Sequence, residues 1–460
     1  MYVQKAPSLR EILRDLDPAK AGQVLLKLVG FESSSQGYLH WDKLRHLAPP
    51  SGLDHEQWWL ATKLARAPLM RKLPLTDPFG RPFMYAVTDE VLEMLHLVDQ
   101  RCSGEIAIPE VVIDEEQARQ HYLVNSLMEE AIRSSQLEGA TTTRTVAKEL
   151  IRSGRQPTDR SEQMILNNYR AMQFMRDLGG PLRPAAVLEL QRILTEGTLD
   201  NPDAAGRLQT PNDVRITVVE ATDGSVVHQP PPAEQLPERL EAMCRFANET
   251  PDGSFLHPVI RAILLHFWLA YDHPFEDGNG RTARALFYWA MRSQRYWLTE
   301  YLSISKILRE APGQYARSFL ETETDEFDAT YFVLHQLRVI KSAVEQLDKY
   351  LQKKVKEIRH VESLLHRSDD FNHRQLALLS DALRNPQSAY TFGSHAASHN
   401  VSHETGRRDL LALFRAGLLR RIRRRRRYAF VPQPNLSELL SSLPAKREFH
   451  GTGQGTPPRN

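Results

Sequence analysis

One short segment near the middle of the chain concentrates the side chains that could do chemistry. Residues 272–284 read Asp-His-Pro-Phe-Glu-Asp-Gly-Asn-Gly-Arg-Thr-Ala-Arg. The imidazole of His273 titrates near neutrality and could take a proton from an attacking hydroxyl. Asp277 offers a hard oxygen ligand of the kind that Mg²⁺ prefers. Arg281 and Arg284 are three residues apart, and guanidinium groups suit bidentate contacts to phosphate oxygens.

The local backbone that this segment predicts also favours an anion site. An apolar helix is predicted to end near Tyr271 and a second helix to begin near Asn279, with Gly278 and Gly280 letting the backbone bend and approach a ligand. A helix start exposes unpaired N–H groups and the positive end of the dipole, which together favour phosphate. Asp-Gly-Asn-Gly alone is also a common turn signal. A calcium loop is excluded, because His273 and Phe275 occupy two of its ligand positions.

The segment His273-Pro-Phe-Glu-Asp277-Gly-Asn-Gly-Arg281-Thr-Ala-Arg284 resembles the Fic-domain signature HxFx(D/E)GNGRxxR at every specified position. The surroundings are similar to the same family over roughly residues 115–345. They include Gly206-Arg207, a hairpin and Pro230-Pro231-Pro232, which resemble the substrate flap, and His257 to Ala262, which resemble the preceding helix. Tyr301-Leu302-Ser303 and Gln314-Tyr315, with Leu320, resemble the segment that follows.

The resemblance implies a protein adenylyltransferase, which moves AMP from ATP to a Ser, Thr or Tyr hydroxyl of a target protein. It implies that His273 is the general base and that Asp277 holds Mg²⁺. It assigns the phosphates to Gly278, Asn279, Gly280, Arg281 and Arg284, with Arg284 toward the γ-phosphate. Tyr315 is a candidate adenine contact, and a tyrosine of the core is an equal alternative. The hairpin would pair with the target backbone as an added strand.

A second segment resembles a regulatory element of the same family. Ser134-x-x-x-Glu138-Gly139 looks like the inhibitory motif (S/T)xxxE(G/N), which implies a Glu138–Arg284 ion pair in the γ-phosphate position. Residues 134 and 138 share one face of a predicted helix over about 114–138 that Gly139 would end. A glutamate there is unfavourable to the helix dipole unless it has a cationic partner. In some relatives the equivalent glutamate supports AMP removal, so a de-AMPylase using the same site is an alternative function.

The rest of the chain is predicted to be mainly α-helical. Apolar residues at helical spacing between Ile260 and Tyr271 predict a buried helix. Residues 214–219 and 226–228 are strand-like, with the turn Thr222-Asp223-Gly224-Ser225 between them, so we expect a β-hairpin inserted in a helical domain. Residues 69–87 are predicted to be loop or short strand.

The C-terminal part resembles a winged helix-turn-helix domain. Helices are predicted near 374–383 and 394–399, and a third begins after Ser402 and ends near Gly417. Residues 420–427 then read Arg-Arg-Ile-Arg-Arg-Arg-Arg-Arg, seven arginines in eight positions, before Tyr428-Ala-Phe430-Val431. We expect duplex DNA as a partner of residues 401–431. A protein-interaction module with a solvated basic wing is the alternative. A DNA-binding transcriptional regulator with a ligand-sensing Fic fold is thus another function to weigh.

We therefore expect five regions along the chain: an N-terminal Fic-associated region at 1–113, a catalytic domain at 114–345 with an inhibitory helix at 114–139, a connecting helix at 346–370, a winged-helix domain at 371–432 and a flexible tail at 433–460. A homodimer that masks the inhibitory helix or pairs two winged helices is compatible with this arrangement.

Composition excludes several other classes of protein. The chain has 460 residues, 41% of them hydrophobic and 25% charged, with a net charge of +2, which is ordinary for a globular protein. Two cysteines exclude a disulfide framework and a multi-cysteine zinc site. No apolar stretch is long enough to suggest a membrane span, and the N-terminal residues lack the apolar run of a secretory signal. We therefore expect a cytoplasmic protein with no membrane partner.

Overall fold

The computed structural model separates into two compact units, one of residues before 349 and one of residues from 349 onward. It describes residues 3–15, 37–50, 52–103, 116–215, 218–219, 226–249, 255–366, 371–384, 388–424 and 427–442. Predictions that fall elsewhere, such as the turn at 222–225 and the end of the chain beyond 442, lie outside the described residues. The described part of the chain holds many helices and three two-stranded antiparallel sheets.

The helices that begin in the first unit are labelled in chain order, and the last of them continues past residue 348. They are α1 Leu9–Asp15, α2 Trp41–Leu44, α3 His55–Arg66, α4 Asp89–Cys102, α5 Glu116–Leu137, α6 Arg144–Ser153, α7 Arg160–Asp177, α8 Pro184–Thr195, α9 Leu236–Asn248, α10 Pro258–Asp272, α11 Asn279–Ser293, α12 Ile304–Glu310, α13 Pro312–Thr324 and α14 Thr330–His366. Short 3₁₀ helices lie at Ala67–Leu69, Pro202–Ala204, Ala233–Gln235 and Trp297–Tyr301.

The N-terminal strands form a hairpin rather than a loop. β1 Met70–Thr76 pairs with β2 Pro82–Ala86, with Met70 opposite Ala86. The hairpin is attached to the start of α14, because Ala329 N–H donates to the Met84 carbonyl at 2.7 Å and Ala86 N–H donates to Thr330 Oγ1 at 2.7 Å. This places the N-terminal region against the helical core.

The centre of the first unit is the antiparallel pair α10 and α11. The residues at helical spacing from Ile260 to Tyr271 are buried as predicted, and the opposite face of α10 is buried as well. α10 is therefore surrounded by other elements, which the apolar pattern of one face could not reveal. The tight connection between α10 and α11 is the chemically rich segment 272–284.

Two predicted helix boundaries are corrected by the structure. α5 ends at Leu137, so Glu138 lies in the turn after the helix, where its N–H donates to the Ser135 carbonyl. Gly139 follows with φ of +95°, a conformation that glycine adopts without strain. The predicted connecting helix at 346–370 is the second half of the continuous helix α14, because no breaker residue interrupts the chain after Thr330.

The flap hairpin is shorter than predicted among the described residues. β3 Val218–Val219 pairs with β4 Val226–His228, with Val218 opposite His228. Val214 and Arg215 precede this pairing in irregular backbone, although the sequence predicted a strand from residue 214. Arg215 instead turns toward the end of α10, as described below.

The second unit contains helices α15 His373–Arg384, α16 Phe392–Ser398, α17 His403–Arg415 and α18 Leu436–Ser441, and the antiparallel strands β5 Leu419–Arg424 and β6 Arg427–Pro432. Ser402 caps α17 by accepting from Thr405 N–H, as predicted. The flexible tail predicted from 433 is wrong for residues 436–441, because Leu436 and Leu440 are buried in the core of this unit.

In the second unit, helices α15, α16 and α17 are followed by the two-stranded sheet of β5 and β6 and then by α18. α16 and α17 approach closely at Gly406, where an added Cβ would lie 2.9 Å from the Phe392 carbonyl oxygen. Asp409 on α17 is buried and accepts from Arg374 Nε at 2.7 Å, which fixes α15 against α17. Throughout the described residues, no helix combines the length and apolar character needed to cross a membrane.

Candidate active site

His273 stands at the point where α10 ends. Its backbone is in the left-handed region with φ of +44°, and its N–H donates to the Leu269 carbonyl at 3.0 Å. Burial lowers the pKa of the imidazole below its usual 6.5, and the nearby His228 and Arg215 lower it further. A hydrogen bond to the Ala270 carbonyl and the charge of Glu138 act in the opposite direction. The ring is therefore neutral at neutral pH and able to accept a proton.

The loop after His273 is closed by the side chain of Asn279. Its Oδ1 accepts from Phe275 N–H at 3.0 Å, and its Nδ2 donates to the Phe275 carbonyl at 2.7 Å. Gly278 has φ of +83° and precedes the first residue of α11. Asn279 therefore shapes the loop through its side chain, and its backbone N–H belongs to the helix N-terminus that can face a phosphate.

Asp277 is the carboxylate beside this helix start. Its Oδ1 accepts from Gly278 N–H at 2.6 Å and its Oδ2 accepts from Arg281 Nη2 at 3.0 Å. Its side chain remains 39% exposed, which leaves carboxylate lone pairs open to the solvent side. Within the described ranges, no three His, Cys, Asp or Glu side chains gather to hold a metal ion. Asp277 thus fits Mg²⁺ as a single protein ligand beside substrate phosphates.

Arg281 is fully buried and faces the protein. Its Nη1 donates to the Leu194 carbonyl at 3.0 Å, and its Nη2 donates to Asp277. The sequence predicts a phosphate contact for this guanidinium. The structure shows it tying α11 to the end of α8 and orienting Asp277.

Arg284 is the buried cation of the site, and its partners come from the end of α5. Its Nε donates to Ser134 Oγ at 2.9 Å, and its Nη2 donates to Glu138 Oε1 at 2.8 Å. Burial alone would lower the pKa of Arg284, but the charges of Glu138, Tyr315 and Glu130 raise it. Residues separated by about 150 positions in the chain thus form one ion pair.

The carboxylate of Glu138 also lies over the first turn of α11. A Cβ added to Gly280 would overlap Glu138 Oε1, so the carboxylate lies directly against the backbone of this turn. The positive end of the α11 dipole and the Arg284 guanidinium therefore both face this carboxylate. Glu138 occupies the position in which the sequence places an anionic ligand.

Two further groups surround Arg284 on its protein side. Glu130 is buried and accepts from Ser303 Oγ at 2.9 Å and from Ser305. Tyr315 places its hydroxyl 2.8 Å from Nε2 of the buried His266, and burial raises the pKa of Tyr315 to about 12. The tyrosine ring packs in an aromatic cluster, so an adenine contact for Tyr315 stays a prediction.

A family model described as Fic/DOC family matches residues 181–291, which include the flap hairpin and the complete 272–284 segment. Residues 181–291 are a Fic domain. The match does not extend to Ser134 and Glu138, whose relation to the domain rests on the contacts described above.

Curated relatives match the chain over a shorter stretch. A protein from Nematostella vectensis named "Protein adenylyltransferase Fic" is 46% identical over 59 residues, and one of the same name from Drosophila melanogaster is 44% identical over 59 residues. Each match covers 13% of this chain and 14% or 12% of the relative. The chain thus spans about a seventh of the length of the curated relatives that it matches.

A solved structure supports the same fold over more of the chain. The crystal structure of a Fic family protein from Desulfovibrio desulfuricans G20 covers 76% of this chain and 98% of its own, with a TM-score of 0.53 and 18% identity. The predicted mainly helical fold with a small inserted hairpin is confirmed.

Sequence reasoning missed several residues that shape the Fic site. Gln191 on α8 donates from Nε2 to the Asp277 carbonyl at 3.0 Å, and Arg239 on α9 holds the carboxylate of Asp272. One signal was present, since Arg239 interrupts the apolar stripe of Leu236, Leu240 and Met243. A charged residue inside such a stripe is buried only with a partner, and the sequence does not show which residue that is.

Proposed function

We propose that this protein is an adenylyltransferase that moves AMP from ATP to a Ser, Thr or Tyr hydroxyl of a target protein and is inhibited by Glu138. The observation that carries the proposal is the placement of the Glu138 carboxylate between Arg284 and the start of α11. A carboxylate in that position marks an anion site and at the same time fills it. The names of the matched relatives support the reaction class.

The reaction follows from the residues around this site. The target hydroxyl attacks the α-phosphorus of ATP, the bond from that phosphorus to the β-phosphate oxygen breaks, and pyrophosphate leaves. His273 accepts the proton of the hydroxyl, and its lowered pKa keeps it neutral and ready to do so. The first N–H groups of α11 and the Arg284 guanidinium stabilise the phosphate charge.

Asp277 would hold Mg²⁺, which supplies charge neutralisation at the phosphates when bound. Arg281 orients Asp277 for that role through the 3.0 Å contact between Nη2 and Oδ2. Gln191 holds the backbone of the same residue from the other side, through the Asp277 carbonyl. Both contacts come from buried residues, so the carboxylate is set in place before nucleotide arrives.

Inhibition follows from competition for one cation. While Glu138 accepts from Arg284, the guanidinium is not available to a γ-phosphate, and the carboxylate repels a phosphate that approaches α11. Ser134 holds the other edge of the same guanidinium, which keeps Arg284 in reach of Glu138. Removal of the Glu138 carboxylate frees the anion site without touching His273 or Asp277.

The decisive experiment uses ATP labelled at the α-phosphate with Mg²⁺. We expect label on the Glu138→Gly variant, little on the wild type, and none on Glu138→Gly combined with His273→Ala. The gain should be at least about tenfold, because a hydrogen bond between charged groups contributes about 1.5–3 kcal/mol. Glu129→Gly is the matched control, since Glu129 pairs with Arg133 and Arg144 away from the site. No label on Glu138→Gly, with or without added protein extract, contradicts the proposal.

Removal of AMP is a second activity that one observation favours. The Glu138 carboxylate lies against Gly280 in the first turn of α11, on the anion site that would hold the AMP phosphate. In that reaction Glu138 would take a proton from the water as it attacks the phosphorus. The bond from the phosphorus to the side-chain oxygen would break, and that oxygen would leave with a proton given by the protonated form of His273. Release of AMP from a labelled protein by wild type, and its loss in Glu138→Gln, would support this activity. Equal release by both proteins would contradict it.

Duplex DNA binding by the second unit is a separate proposal. Arg420, Arg421 and Arg423 of β5 are exposed, as are Arg408 and Arg415 of α17. An α-helix and an adjacent hairpin that both carry exposed arginines suit a helix in the major groove with phosphate contacts beside it. The proposal requires a binding affinity that falls steeply as salt is raised, and salt-independent binding would contradict it.

A further inference from the structure

The carbonyl groups in the last turn of α10 contact two parts of the molecule, the proposed base His273 and the flap. His273 takes the first two, because its N–H donates to Leu269 and its ring bonds to Ala270. The last two carbonyls contact Arg215, which precedes the flap hairpin, and His228, the last residue of its second strand. Helix ends leave such carbonyls without intrahelical partners, and cations near them are favourable.

The segment before the hairpin reaches this turn through Arg215. Its Nη2 donates to the Asp272 carbonyl at 2.8 Å, and its Nη1 donates to Gln209 at 3.0 Å. Gln209 N–H in turn donates to the Pro274 carbonyl at 2.9 Å. The chain entering the flap is therefore bonded on both sides of His273.

The hairpin itself reaches the same turn through His228, the last residue of β4. Its Nε2 lies 3.0 Å from the Tyr271 carbonyl oxygen, and its Nδ1 lies 2.9 Å from the Glu323 carboxylate. The ring therefore contacts the end of α10 on one side and α13 on the other. Strand β4 is thus bonded two residues before the base.

The segment after the hairpin reaches Asp272 through Arg239 on α9. Asp272 Oδ1 accepts from Arg239 Nε at 2.8 Å and from Nη2 at 2.6 Å, and Oδ2 accepts from Trp268 at 3.0 Å. Both members of the ion pair are buried. Arg239 Nη2 also donates to the Thr76 carbonyl of β1 at 2.7 Å, so the N-terminal hairpin supports the same contact.

We propose that Asp272 is a positioning residue that couples the flap to His273. Asp272 accepts hydrogen bonds from the segments that enter and leave the flap, and it directly precedes His273 in the chain. A target strand added to the flap would therefore meet His273 at a distance set by Arg215, Asp272 and Arg239. Asp272 touches neither nucleotide nor target, so its effect is on geometry alone.

The test rests on the proposed adenylyltransferase function and uses the Glu138→Gly protein as parent. Asp272→Asn keeps the side-chain volume and removes the charge that Arg239 binds. We expect kcat for transfer to fall by about 10- to 100-fold, as misplacement of reacting groups does, with the KM for ATP unchanged. Arg215→Gln, at a half-buried position where folding is less at risk, should give a smaller loss of the same kind.

A second readout does not depend on activity. In protein labelled with ¹³C-histidine, the ring of His273 should titrate closer to 6.5 in Asp272→Asn than in the parent, because a loosened flap hydrates the ring. His228 and Arg215 face the same ring and are unchanged in this variant, and Glu138 is absent from both proteins. Asp325→Asn, which breaks the buried pair with Lys63 elsewhere in the unit, is the control for a purely structural loss.

The outcomes separate the two proposals. No transfer by the parent, together with a shifted His273 titration in Asp272→Asn, rejects the adenylyltransferase and keeps the coupling. Unchanged titration and unchanged kcat in Asp272→Asn reject the coupling and keep the enzyme. A raised KM for ATP in Asp272→Asn, with the same kcat as the parent, also rejects the coupling, because a contact with the nucleotide would then explain the effect.

Discussion

Two groups of arginines in this protein show opposite uses of the same side chain. Arg281 and Arg284 are buried in the Fic domain, and each has dedicated acceptors at 2.8–3.0 Å. Arg420 and Arg423 on β5 are exposed to solvent. Buried guanidinium groups are screened little by salt and recognise a ligand by geometry. Exposed ones act mainly through their summed field, which salt weakens.

The number of arginines in a segment is therefore a poor guide to its role. The run at 420–427 is the densest positive charge in the sequence, yet the arginines with specific buried partners are Arg281 and Arg284, in a segment that also holds acidic residues. The two groups of arginines differ in burial and in the identity of their hydrogen-bond partners.

The largest effect is expected at Arg284. In the Glu138→Gly protein, Arg284→Met should lower AMP transfer by at least about 10²-fold, the loss typical of removing one donor to transition-state charge. Labelled transfer measures it, repeated at low and high salt. The same fold loss at both salt concentrations is expected for a buried group. Arg292→Met, on the same helix and paired with Glu300, is the control and should keep the parent rate.

Arg281 should matter more for folding than for nucleotide binding. Arg281→Met removes the donor at 3.0 Å from the buried Leu194 carbonyl and leaves it the longer contact with Asn167 Nδ2 at 3.5 Å, so the free energy of unfolding should fall by about 1–3 kcal/mol. Urea unfolding followed by tryptophan fluorescence measures this, since all six tryptophans precede residue 349. Arg421→Met in the second unit should leave that transition unchanged. Equal stability of Arg281→Met and the wild type would contradict a structural role.

The exposed arginines should determine how strongly the affinity for duplex DNA depends on salt. For duplex DNA, Arg420→Ala with Arg423→Ala should lower the slope of log affinity against log salt by about 0.9 for each phosphate that is no longer neutralised. Fluorescence anisotropy over a salt series measures the slope. Arg71→Ala with Lys72→Ala removes equal charge from an exposed part of β1 and serves as control. Equal slopes for the two double variants would reject the β5 surface.

The smallest effect is expected in the pH profile. The lowered pKa of His273 keeps the base neutral below 6.5, so activity should be lost only as pH falls through that lowered value. In Glu138→Gly the midpoint should fall further, because the Glu138 charge raises the pKa of His273. Rates of transfer between about pH 5 and 8 test this prediction. A midpoint above 6.5 would indicate a different base.

Much of the Fic site was accessible from sequence because its signals are local. The end of α10, the glycine-containing loop and the start of α11 are set by neighbours within a few residues, as the closure of Asn279 onto Phe275 shows. The cap at Ser402 and the strands around the arginine run were equally local. Short-range patterns of this kind largely determine the local conformation of the backbone.

Other features depended on contacts that no local pattern contains. The predicted flexible tail from 433 contains helix α18, because Leu436 and Leu440 are buried in the core of the second unit. The predicted domain boundary between 345 and 346 lies inside a helix, because α14 runs continuously from Thr330 to His366. Arg281 was predicted to face phosphate and instead faces the Leu194 carbonyl at the end of α8.

The segment 272–284 alone was enough to predict the helix start at Asn279 and the loop before it. The partners of its charged residues could be found only in the folded chain: Ser134 and Glu138 for Arg284, and Arg239 and Thr76 for the end of α10. The physical reason is that helix ends and turns are fixed by hydrogen bonds within a few residues. Buried charges are satisfied by whichever distant groups the packing of the helices brings to them.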